Sequence, residues 1–251
     1  MSTRSELDTF FGALRFFTRL PALGAFGEGA GALSRAMRYF PATGLIVGAL
    51  AGLAFAVASS FWPKTLAVLA AMVTAILVTG ALHEDGWVDT IDGLGGGADK
   101  ESALAIMRDS RVGGFGAAGL ALLLMARFFS LIEIDMRLIP VTLIAGHAIS
   151  RLCAAGVFQK LDYARAEGKA SPFDEKLHKG DWIFAAVTAL LPALLLPKGP
   201  VLLGLAFAAG ASYWLYRLFK RRLGGYTGDG LGAVQQLAEV AFYGGLLCEF
   251  S

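Results

Sequence analysis

Long apolar stretches alternate with short polar segments along most of this chain. A transmembrane helix needs about 20 predominantly apolar residues, and seven stretches approach that length. They lie at residues 41–62, 65–82, 114–134, 139–158, 181–197, 199–218 and 231–248. The fifth stretch is short, and the seventh carries Gln235, Gln236 and Glu239. The pattern therefore predicts an all-α, polytopic membrane bundle with six or seven transmembrane helices.

The first 40 residues follow a different pattern. Their apolar side chains recur every three or four positions, at Leu7, Phe10, Phe11, Leu14 and Phe17. This spacing predicts an amphipathic helix that lies in the membrane interface. Two arginines interrupt the stretch, so it lacks the continuous apolar core of a secretory signal.

Composition supports a membrane protein. Hydrophobic residues make up 56% of the chain and charged residues 17%, and the mean hydropathy is +0.60. These values exclude an ordinary soluble domain, and we expect no nucleic-acid partner. The two cysteines, Cys153 and Cys248, lie far apart in apolar surroundings and are expected to be packing residues. Without a repeat or a long linker, residues 1–251 are expected to form a single integral membrane domain.

The distribution of positive charge predicts an orientation. If the N-terminus is cytoplasmic and the spans alternate, the inner segments hold most of the 22 Lys and Arg residues. The outer turns then hold only Lys64, Arg137 and Lys198. Because cytoplasmic loops are enriched in Lys and Arg, we expect the large polar loops, and the active site with them, to face the cytoplasm.

Residues 83–93, with the sequence HEDGWVDTIDG, concentrate five ionisable groups at the end of an apolar run. If the segment is helical, Asp85, Asp89 and Asp92 lie within roughly 60° of one another on one face. Three such carboxylates repel one another unless a cation lies between them, and Mg²⁺ or Mn²⁺ prefers oxygen ligands of this kind. The alternative is a solvated acidic loop that caps a helix.

A second polar cluster follows this motif. Residues 100–111 read as a short helix, and the glycine-rich segment 109–116 then leads into the next span. The N-terminus of a helix offers free N–H groups and a positive dipole end to an anion. We therefore expect a phosphate-binding shelf that faces the metal site. A turn that needs glycine only for steric reasons is the alternative.

Two further polar islands are candidates for function. Arg151 lies within the fourth span, where an unpaired arginine is costly and is usually functional or paired. Residues 224–232 place Thr227 and Asp229 among five glycines just before the last span. We interpret Asp229 as a site residue, with a helix N-cap as the alternative, and the lone His147 as a packing residue.

Taken together, these motifs resemble the cobalamin synthase family. The resemblance rests on six segments in this order: RFFTRLP and RYFPATGLIVG near the N-terminus, HEDGWVDTIDGLGGG, IMRDSRVGGFG, SRL with YAR-x-EGK, and GGYTGDGLGA. It runs from about residue 10 to residue 245, nearly the whole chain.

The resemblance implies a Mg²⁺-dependent, multi-pass enzyme of the bacterial inner membrane. Such an enzyme transfers the phosphocobinamide part of adenosylcobinamide-GDP to α-ribazole or α-ribazole 5′-phosphate and releases GMP. The expected partners are these two substrates and the lipid bilayer. Other enzymes of nucleotide-loop assembly and a second copy of the chain are further partner hypotheses.

The same resemblance suggests roles for particular residues. The expected metal ligands are Asp85, Asp89, Asp92 and Glu84. The expected contacts to the pyrophosphate substrate are Arg108, Asp109, Arg111, Arg151 and Thr227. Either His83 or Asp229 is expected to be the general base that takes the proton from the attacking ribose hydroxyl.

Three other functions stay open at this point. A prenyltransferase would also bind Mg²⁺ and pyrophosphate, but it would show two separated aspartate-rich motifs. A CDP-alcohol phosphotransferase has a DG-x2-A-R motif, and here Asp89 stands in the place of its alanine. A transporter would favour carboxylates near the middle of the membrane, whereas these carboxylates lie at the ends of spans.

Overall fold

The computed structural model describes residues 3–21, 35–165 and 176–248, and within these ranges the chain forms ten α-helices. They are α1 (Thr3–Phe17), α2 (Phe40–Ala58), α3 (Lys64–Thr79), α4 (Leu82–Gly96), α5 (Lys100–Ile106), α6 (Gly114–Glu133), α7 (Ile139–Lys160), α8 (Lys179–Leu190), α9 (Lys198–Arg222) and α10 (Gly228–Leu246). The described residues contain no β-strand. The all-α membrane bundle predicted from the sequence is thus confirmed.

Fewer helices are long and apolar enough to cross a membrane than the sequence pattern predicted. Among the described residues there are four, formed by α2 with the 3-10 turn before it, α6, α7 and α9. The number is five if α3 and α4 are one bent span. In the region of the expected span at 181–197, the helix α8 has only 12 residues and ends at Leu190. A 3-10 turn begins at Pro192. The expected span at 231–248 is the helix α10, whose buried polar residues lower its hydropathy.

The helix α1 forms where the sequence predicted it, and it also contributes to the core. Leu14 and Phe17 are buried, and the Phe17 ring stacks on Phe40 of α2. Leu7 is 52% exposed. The helix is therefore amphipathic, with one face packed on the bundle. Its expected position in the membrane interface stays a prediction.

A sharp bend of 86° separates α3 from α4. Gly80 and Ala81 both adopt left-handed backbone conformations, with φ of 65° and 59°. A side chain at position 80 would also collide with Arg19, whose Nε would lie 2.0 Å from the added Cβ. The left-handed conformation favours glycine at this position, and the flexible Arg19 side chain fills the space that a Cβ would need. The bend turns the acidic helix α4 out of the direction of α3.

Close helix packing in the core depends on small residues. Gly44, Gly48 and Gly52 of α2 lie one turn apart and face α7. A Cβ added at Gly44 would lie 2.4 Å from the carbonyl oxygen of His147, so the two backbones are almost in contact. Small residues at this spacing allow such an approach in membrane bundles. Of the four long apolar helices, α7 is the most deeply buried.

The last helix, α10, packs against α4, α7 and α9. Its N-terminal segment is held by a short parallel bridge between Tyr163 and Tyr226, in which the amide of Ala164 donates to the carbonyl of Tyr226 at 2.8 Å. This bridge fixes two loops, at 161–165 and 223–227, beside the acidic helix. The functional site is built at this end of the bundle.

Candidate active site

The acidic motif is helical, as its spacing predicted, because residues 82–96 form α4. Asp85 is exposed and Asp89 is half-buried. Neither carboxylate is hydrogen-bonded or ion-paired within the described residues. Asp89 lies within electrostatic reach of Asp85, Asp92 and Asp229. Negative charge is therefore concentrated here with little compensation.

Asp229 approaches this cluster closely, although more than a hundred residues separate it from the motif. A Cβ added at Gly86 would lie 2.8 Å from the carbonyl oxygen of Asp229, so glycine on α4 permits the contact. Arg165 donates a hydrogen bond of 2.7 Å to Oδ2 of Asp229. Burial raises the pKa of Asp229, and the neighbouring charge of Arg165 opposes that rise.

Thr227, rather than Asp229, is the N-cap of α10. Its hydroxyl oxygen accepts a hydrogen bond of 2.9 Å from the amide of Gly230. The N-cap alternative for Asp229 is thus wrong, because Asp229 is already inside the first turn. The hydroxyl of Thr227 is buried and occupied by the cap, which argues against its expected role as a contact to substrate.

Asp92 differs from its two partners on α4. Its Oδ2 accepts a hydrogen bond from the amide of Gly113 and its Oδ1 from the amide of Gly116, each at 2.7 Å. The carboxylate therefore caps the N-terminus of α6, where the sequence suggested a phosphate shelf. A Cβ added at Gly113 or Gly116 would lie 2.4 or 2.3 Å from a carboxylate oxygen of Asp92, so these two glycines make room for the cap. Both oxygens of Asp92 are already used, which makes it a weaker candidate for a metal ligand.

The segment before α6 is open to solvent. Asp109 and Arg111 form an ion pair with an N–O distance of 2.5 Å, and the side chain of Arg111 is 87% exposed. The guanidinium of Arg111 lowers the pKa of Asp109 to about 2. Arg108 is also exposed. These residues can reach a substrate only from the surface of the site.

His83 and Glu84 point into the bundle. Oε1 of Glu84 accepts a hydrogen bond of 3.0 Å from Gln236 and lies 3.4 Å from the guanidinium of Arg127. Glu84 is thus paired inside the protein, apart from Asp85 and Asp89, and the expectation that it is a metal ligand finds no support. His83 is only 4% exposed, and its Nε2 has no hydrogen-bond partner in the described residues.

Glu84 belongs to a buried ionic cluster whose centre is Glu239 on α10, and His83 lies within electrostatic reach of that cluster. Glu239 lies 3.4 Å from Nε of Arg127 and 3.0 Å from Nδ1 of His147. The hydroxyl of Tyr243 and the amide of Gln235 donate to the same carboxylate. The cluster therefore connects α4, α6, α7 and α10 through polar contacts inside an otherwise apolar bundle.

Arg151 belongs to this cluster as well. It is fully buried and donates a hydrogen bond of 2.9 Å to the carbonyl oxygen of His147, one turn earlier on α7. The sequence left a choice between a functional and a paired arginine, and the structure places it beside His147 and within electrostatic reach of Glu239 and Glu84.

Four important residues were not site candidates in the sequence: Arg165, Arg127, His147 and Glu239. Arg127, His147 and Glu239 are ionisable groups within apolar segments, and such residues are usually paired or functional. This signal could have selected them. The pairing of Arg165 with Asp229 had no local signal, because the bridge between their two loops joins distant parts of the chain.

The donor groups at the acidic end fit Mg²⁺ bound jointly by protein and substrate. Within the described part of the chain, no three Asp, Glu, His or Cys side chains form a ready-made metal site. However, Mg²⁺ is commonly bound by one or two carboxylates together with substrate phosphates. Asp85 and Asp89 supply two uncommitted carboxylates of this type.

Comparison with known proteins identifies the family. The family model described as cobalamin-5-phosphate synthase matches residues 9–247. The chain belongs to the cobalamin-5-phosphate synthase family. No solved structure matches the chain significantly, so the arrangement of the acidic site in this family is described from the present structure.

Similar proteins within the cobalamin-5-phosphate synthase family carry the name adenosylcobinamide-GDP ribazoletransferase. The protein of Shewanella amazonensis is 41% identical, over 97% of this chain and 96% of its own length. That of Shewanella frigidimarina is 38% identical, over 95% and 93%. That of Shewanella oneidensis is 37% identical, over 96% and 94%. The similarity thus covers every element of the acidic site.

Proposed function

We propose that this membrane protein is an adenosylcobinamide-GDP ribazoletransferase of cobalamin biosynthesis. It joins adenosylcobinamide-GDP to α-ribazole, or to α-ribazole 5′-phosphate, and releases GMP. One observation carries the proposal: in a chain of this family, the uncommitted carboxylates of Asp85 and Asp89 lie beside the Arg165–Asp229 pair. This arrangement offers both signs of charge to a pyrophosphate.

The metal proposed for this site is Mg²⁺, held by Asp85 and Asp89 and by the substrate's phosphate oxygens. When bound, it would stabilise the negative charge that develops on the pyrophosphate during transfer. Asp92 would act indirectly, because its carboxylate fixes α6 against α4. Glu84 would hold the first turn of α4 through its contacts inside the bundle.

The cations proposed to bind the pyrophosphate are Arg165 and, from the surface, Arg108 and Arg111. Arg165 lies nearest to the carboxylates and shares its charge with Asp229. Arg111 is exposed and would exchange its partner Asp109 for a phosphate. Arg151 is left out of this set, because it is fully enclosed beside His147.

Asp229 is our preferred general base. It borders the acidic helix and its side chain is partly accessible, whereas His83 is enclosed in the ionic cluster. Burial raises the pKa of Asp229, which makes its carboxylate a stronger proton acceptor than an ordinary aspartate. The proton would pass from the ribose hydroxyl of α-ribazole to Asp229 as the new bond to phosphorus forms and GMP leaves.

The alternatives receive less support. A prenyltransferase or a CDP-alcohol phosphotransferase would not explain a family match over nearly the whole chain. For a transporter, the expected carboxylates near the middle of the bundle exist as Glu84 and Glu239, but both are paired with Arg127. Association with other enzymes of nucleotide-loop assembly, or with a second copy of the chain, stays a hypothesis.

The decisive assay is GMP release by the purified protein in detergent, supplied with adenosylcobinamide-GDP and α-ribazole. We expect GMP and a corrinoid product in equal amounts, with no release when a chelator removes Mg²⁺. Parallel reactions with a prenyl diphosphate and with a CDP-alcohol would test the alternatives. Turnover of either of these, without GMP release from adenosylcobinamide-GDP, would overturn the proposal.

We also propose that the acidic end faces the cytoplasm, which is supported by the distribution of Lys and Arg along the chain. A cysteine that replaces Lys100 should react with a membrane-impermeant thiol reagent only after permeabilisation. A cysteine that replaces Lys198 should react in intact spheroplasts, because Lys198 begins α9 and the acidic site lies near the other end of that helix. The reverse pattern would place the acidic site outside.

A further inference from the structure

The C-terminal part of α9 combines aromatic residues with positive charge. Tyr213 and Trp214 are 58% and 57% exposed, and Arg217, Lys220 and Arg221 follow within two turns. Trp and Tyr are enriched where a bundle crosses from lipid to water. This part of α9 therefore has the composition of a membrane boundary.

This boundary lies at the same end of the bundle as the acidic site. Nη2 of Arg222 donates a hydrogen bond of 2.6 Å to the carbonyl oxygen of Gly97, just after α4. The end of α9 is thus attached to the end of the acidic helix. Anything bound along α9 here lies close to the proposed site.

A groove runs between α7 and α9 beneath the aromatic residues. Its volume is about 490 Å³, and Gly156, Val157 and Ala209 form much of its wall together with Tyr213 and Tyr216. The groove has room because Gly156 and Ala209 are small. It suits a hydrocarbon chain rather than a polar solute.

The groove adjoins a basic hollow along α9. The hollow has a volume of about 580 Å³ and shares Tyr213 and Tyr216 with the groove, and its other lining residues include Arg217, Lys220 and Arg221. Lys160 lies at the corresponding edge of the groove, on α7. The apolar groove and the positively charged hollow therefore lie side by side, separated by Tyr213 and Tyr216.

The cations around this opening are not compensated. In the described ranges, none of Lys160, Arg217, Lys220 and Arg221 forms an ion pair with a carboxylate. Arg217 donates only to the hydroxyl of Tyr213, at 3.1 Å. By contrast, the exposed Arg137 at the other end of the bundle is paired with Asp135. The opening therefore carries positive charge that no carboxylate of the described residues neutralises through an ion pair.

We propose that this combined groove binds an anionic phospholipid. One acyl chain lies between α7 and α9, and the phosphate group contacts Lys160, Lys220 and Arg221. Charge complementarity selects an anionic headgroup over a neutral one, because basic residues near a membrane surface attract anionic lipids. The apolar groove selects a lipid over a free phosphate ion, which would leave the hydrocarbon-sized space unfilled.

The test is lipid retention by the full-length protein, measured by native mass spectrometry. The protein is purified in a neutral detergent that contains equal small amounts of phosphatidylglycerol and phosphatidylcholine. We expect phosphatidylglycerol to be retained about fivefold or more over phosphatidylcholine, the preference that even one effective Lys or Arg contact would give. Equal retention of the two lipids would overturn the proposal.

Two variants separate the parts of the site. The first variant is a triple substitution that should abolish the preference for phosphatidylglycerol: Lys160→Gln, Lys220→Gln and Arg221→Gln. The second, Ala209→Phe, should reduce retention of both lipids because the new side chain fills the groove. The matched control neutralises three exposed cations elsewhere, in Arg15→Gln, Lys179→Gln and Lys198→Gln, and should keep the preference. A control that loses it equally would point to net charge alone and contradict a local site.

A competition arm distinguishes the lipid from a free phosphate. Millimolar glycerol 3-phosphate should leave phosphatidylglycerol bound, because it cannot occupy the groove. Displacement of the lipid at that concentration, or unchanged lipid retention in Ala209→Phe, would show that the cations bind only a phosphate group. Size-exclusion elution of each variant establishes that it is folded. Because lipid is measured directly, the result does not depend on the transferase activity.

Discussion

Glu84 and Asp85 are neighbours on α4, and their carboxylates are in opposite environments. Glu84 points into the bundle, where Arg127 and Gln236 satisfy one of its oxygens. Asp85 points outward to Asp89 and Asp229 without a cation of its own. Where a carboxylate is buried the fold provides partners, and at the acidic end it leaves negative charge for a ligand to neutralise.

The two environments differ because an unpaired charge costs more free energy inside the bundle than at its end. An unpaired charge inside an apolar bundle is expensive, so a buried charge persists only with partners. At the end of a span, water reduces the repulsion between carboxylates, and a site can tolerate an unfavourable arrangement. The buried cluster is therefore expected to determine stability, and the open cluster to determine activity.

The largest expected effect comes from Arg127→Met, which removes the cation between Glu84 and Glu239. Breaking a buried ion pair typically costs about 3–5 kcal/mol, so the thermal unfolding midpoint in detergent should fall sharply. Asp85→Asn, next to Glu84 on α4, is the control and should leave the midpoint unchanged. Equal midpoints for Arg127→Met and the wild type would remove the distinction between the two clusters.

Asp89→Asn should have the opposite effect, with activity lost and stability kept. The amide keeps the shape of the side chain but removes the negative charge, so GMP release should fall about 100-fold or more, as for loss of one electrostatic contact to a transition state. The unfolding midpoint should stay the same or rise, because like-charge repulsion is relieved. Asp135→Asn, at the far end of the bundle, should retain activity. A destabilised Asp89→Asn protein would mean that the motif is structural.

Asp229→Asn sharpens the assignment of the general base. We expect turnover to fall about 100-fold or more, the typical size of a general-base contribution. In the wild type, activity should be lost on acidification at a pH above the ordinary aspartate pKa of about 4, because burial raises the pKa of Asp229 and protonation removes the base. If Asp229→Asn shows the same acidic limb with full activity, the base lies elsewhere.

The smallest expected effect concerns the cap of α6. Gly113→Ala places a methyl group 2.4 Å from Asp92, so we expect a loss of about 1–3 kcal/mol, as for a disrupted buried hydrogen bond. Gly114→Ala is a matched control, since a Cβ there meets nothing within 4 Å. Thermal unfolding of both variants measures the difference. Equal stability of the two proteins would show that Asp92 moves aside and does not act as a cap.

The parts of this structure that follow local rules were predictable from sequence. The spacing of Asp85, Asp89 and Asp92 predicted a helix, and α4 is one. Spacing alone could not show that Asp92 would turn to the N-terminus of α6, because that contact joins two helices across a glycine turn. The apolar composition of residues 181–197 likewise could not show that the helix there ends at Leu190, before a 3-10 turn at Pro192.

Contacts between distant segments were the least predictable. Nothing near Arg165 in the sequence indicates Asp229, and the bridge between Tyr163 and Tyr226 that aligns them appears only in three dimensions. The sequence indicated Asp229 as a site residue through the glycines around it, and the structure places it beside the acidic motif. The pairing of Arg127 with both Glu84 and Glu239 could not be predicted from the sequence, because each residue alone resembles an isolated polar group in an apolar run.

The most direct test of the uncompensated carboxylates is a Mn²⁺ titration followed by electron paramagnetic resonance. Mn²⁺ replaces Mg²⁺ at sites made of oxygen ligands and reports binding without turnover. In the presence of adenosylcobinamide-GDP, the wild-type protein and Asp135→Asn should bind Mn²⁺ tightly, and the Asp85→Asn, Asp89→Asn double variant should not. Wild-type affinity in a folded double variant would contradict the assignment of Asp85 and Asp89 as the metal ligands.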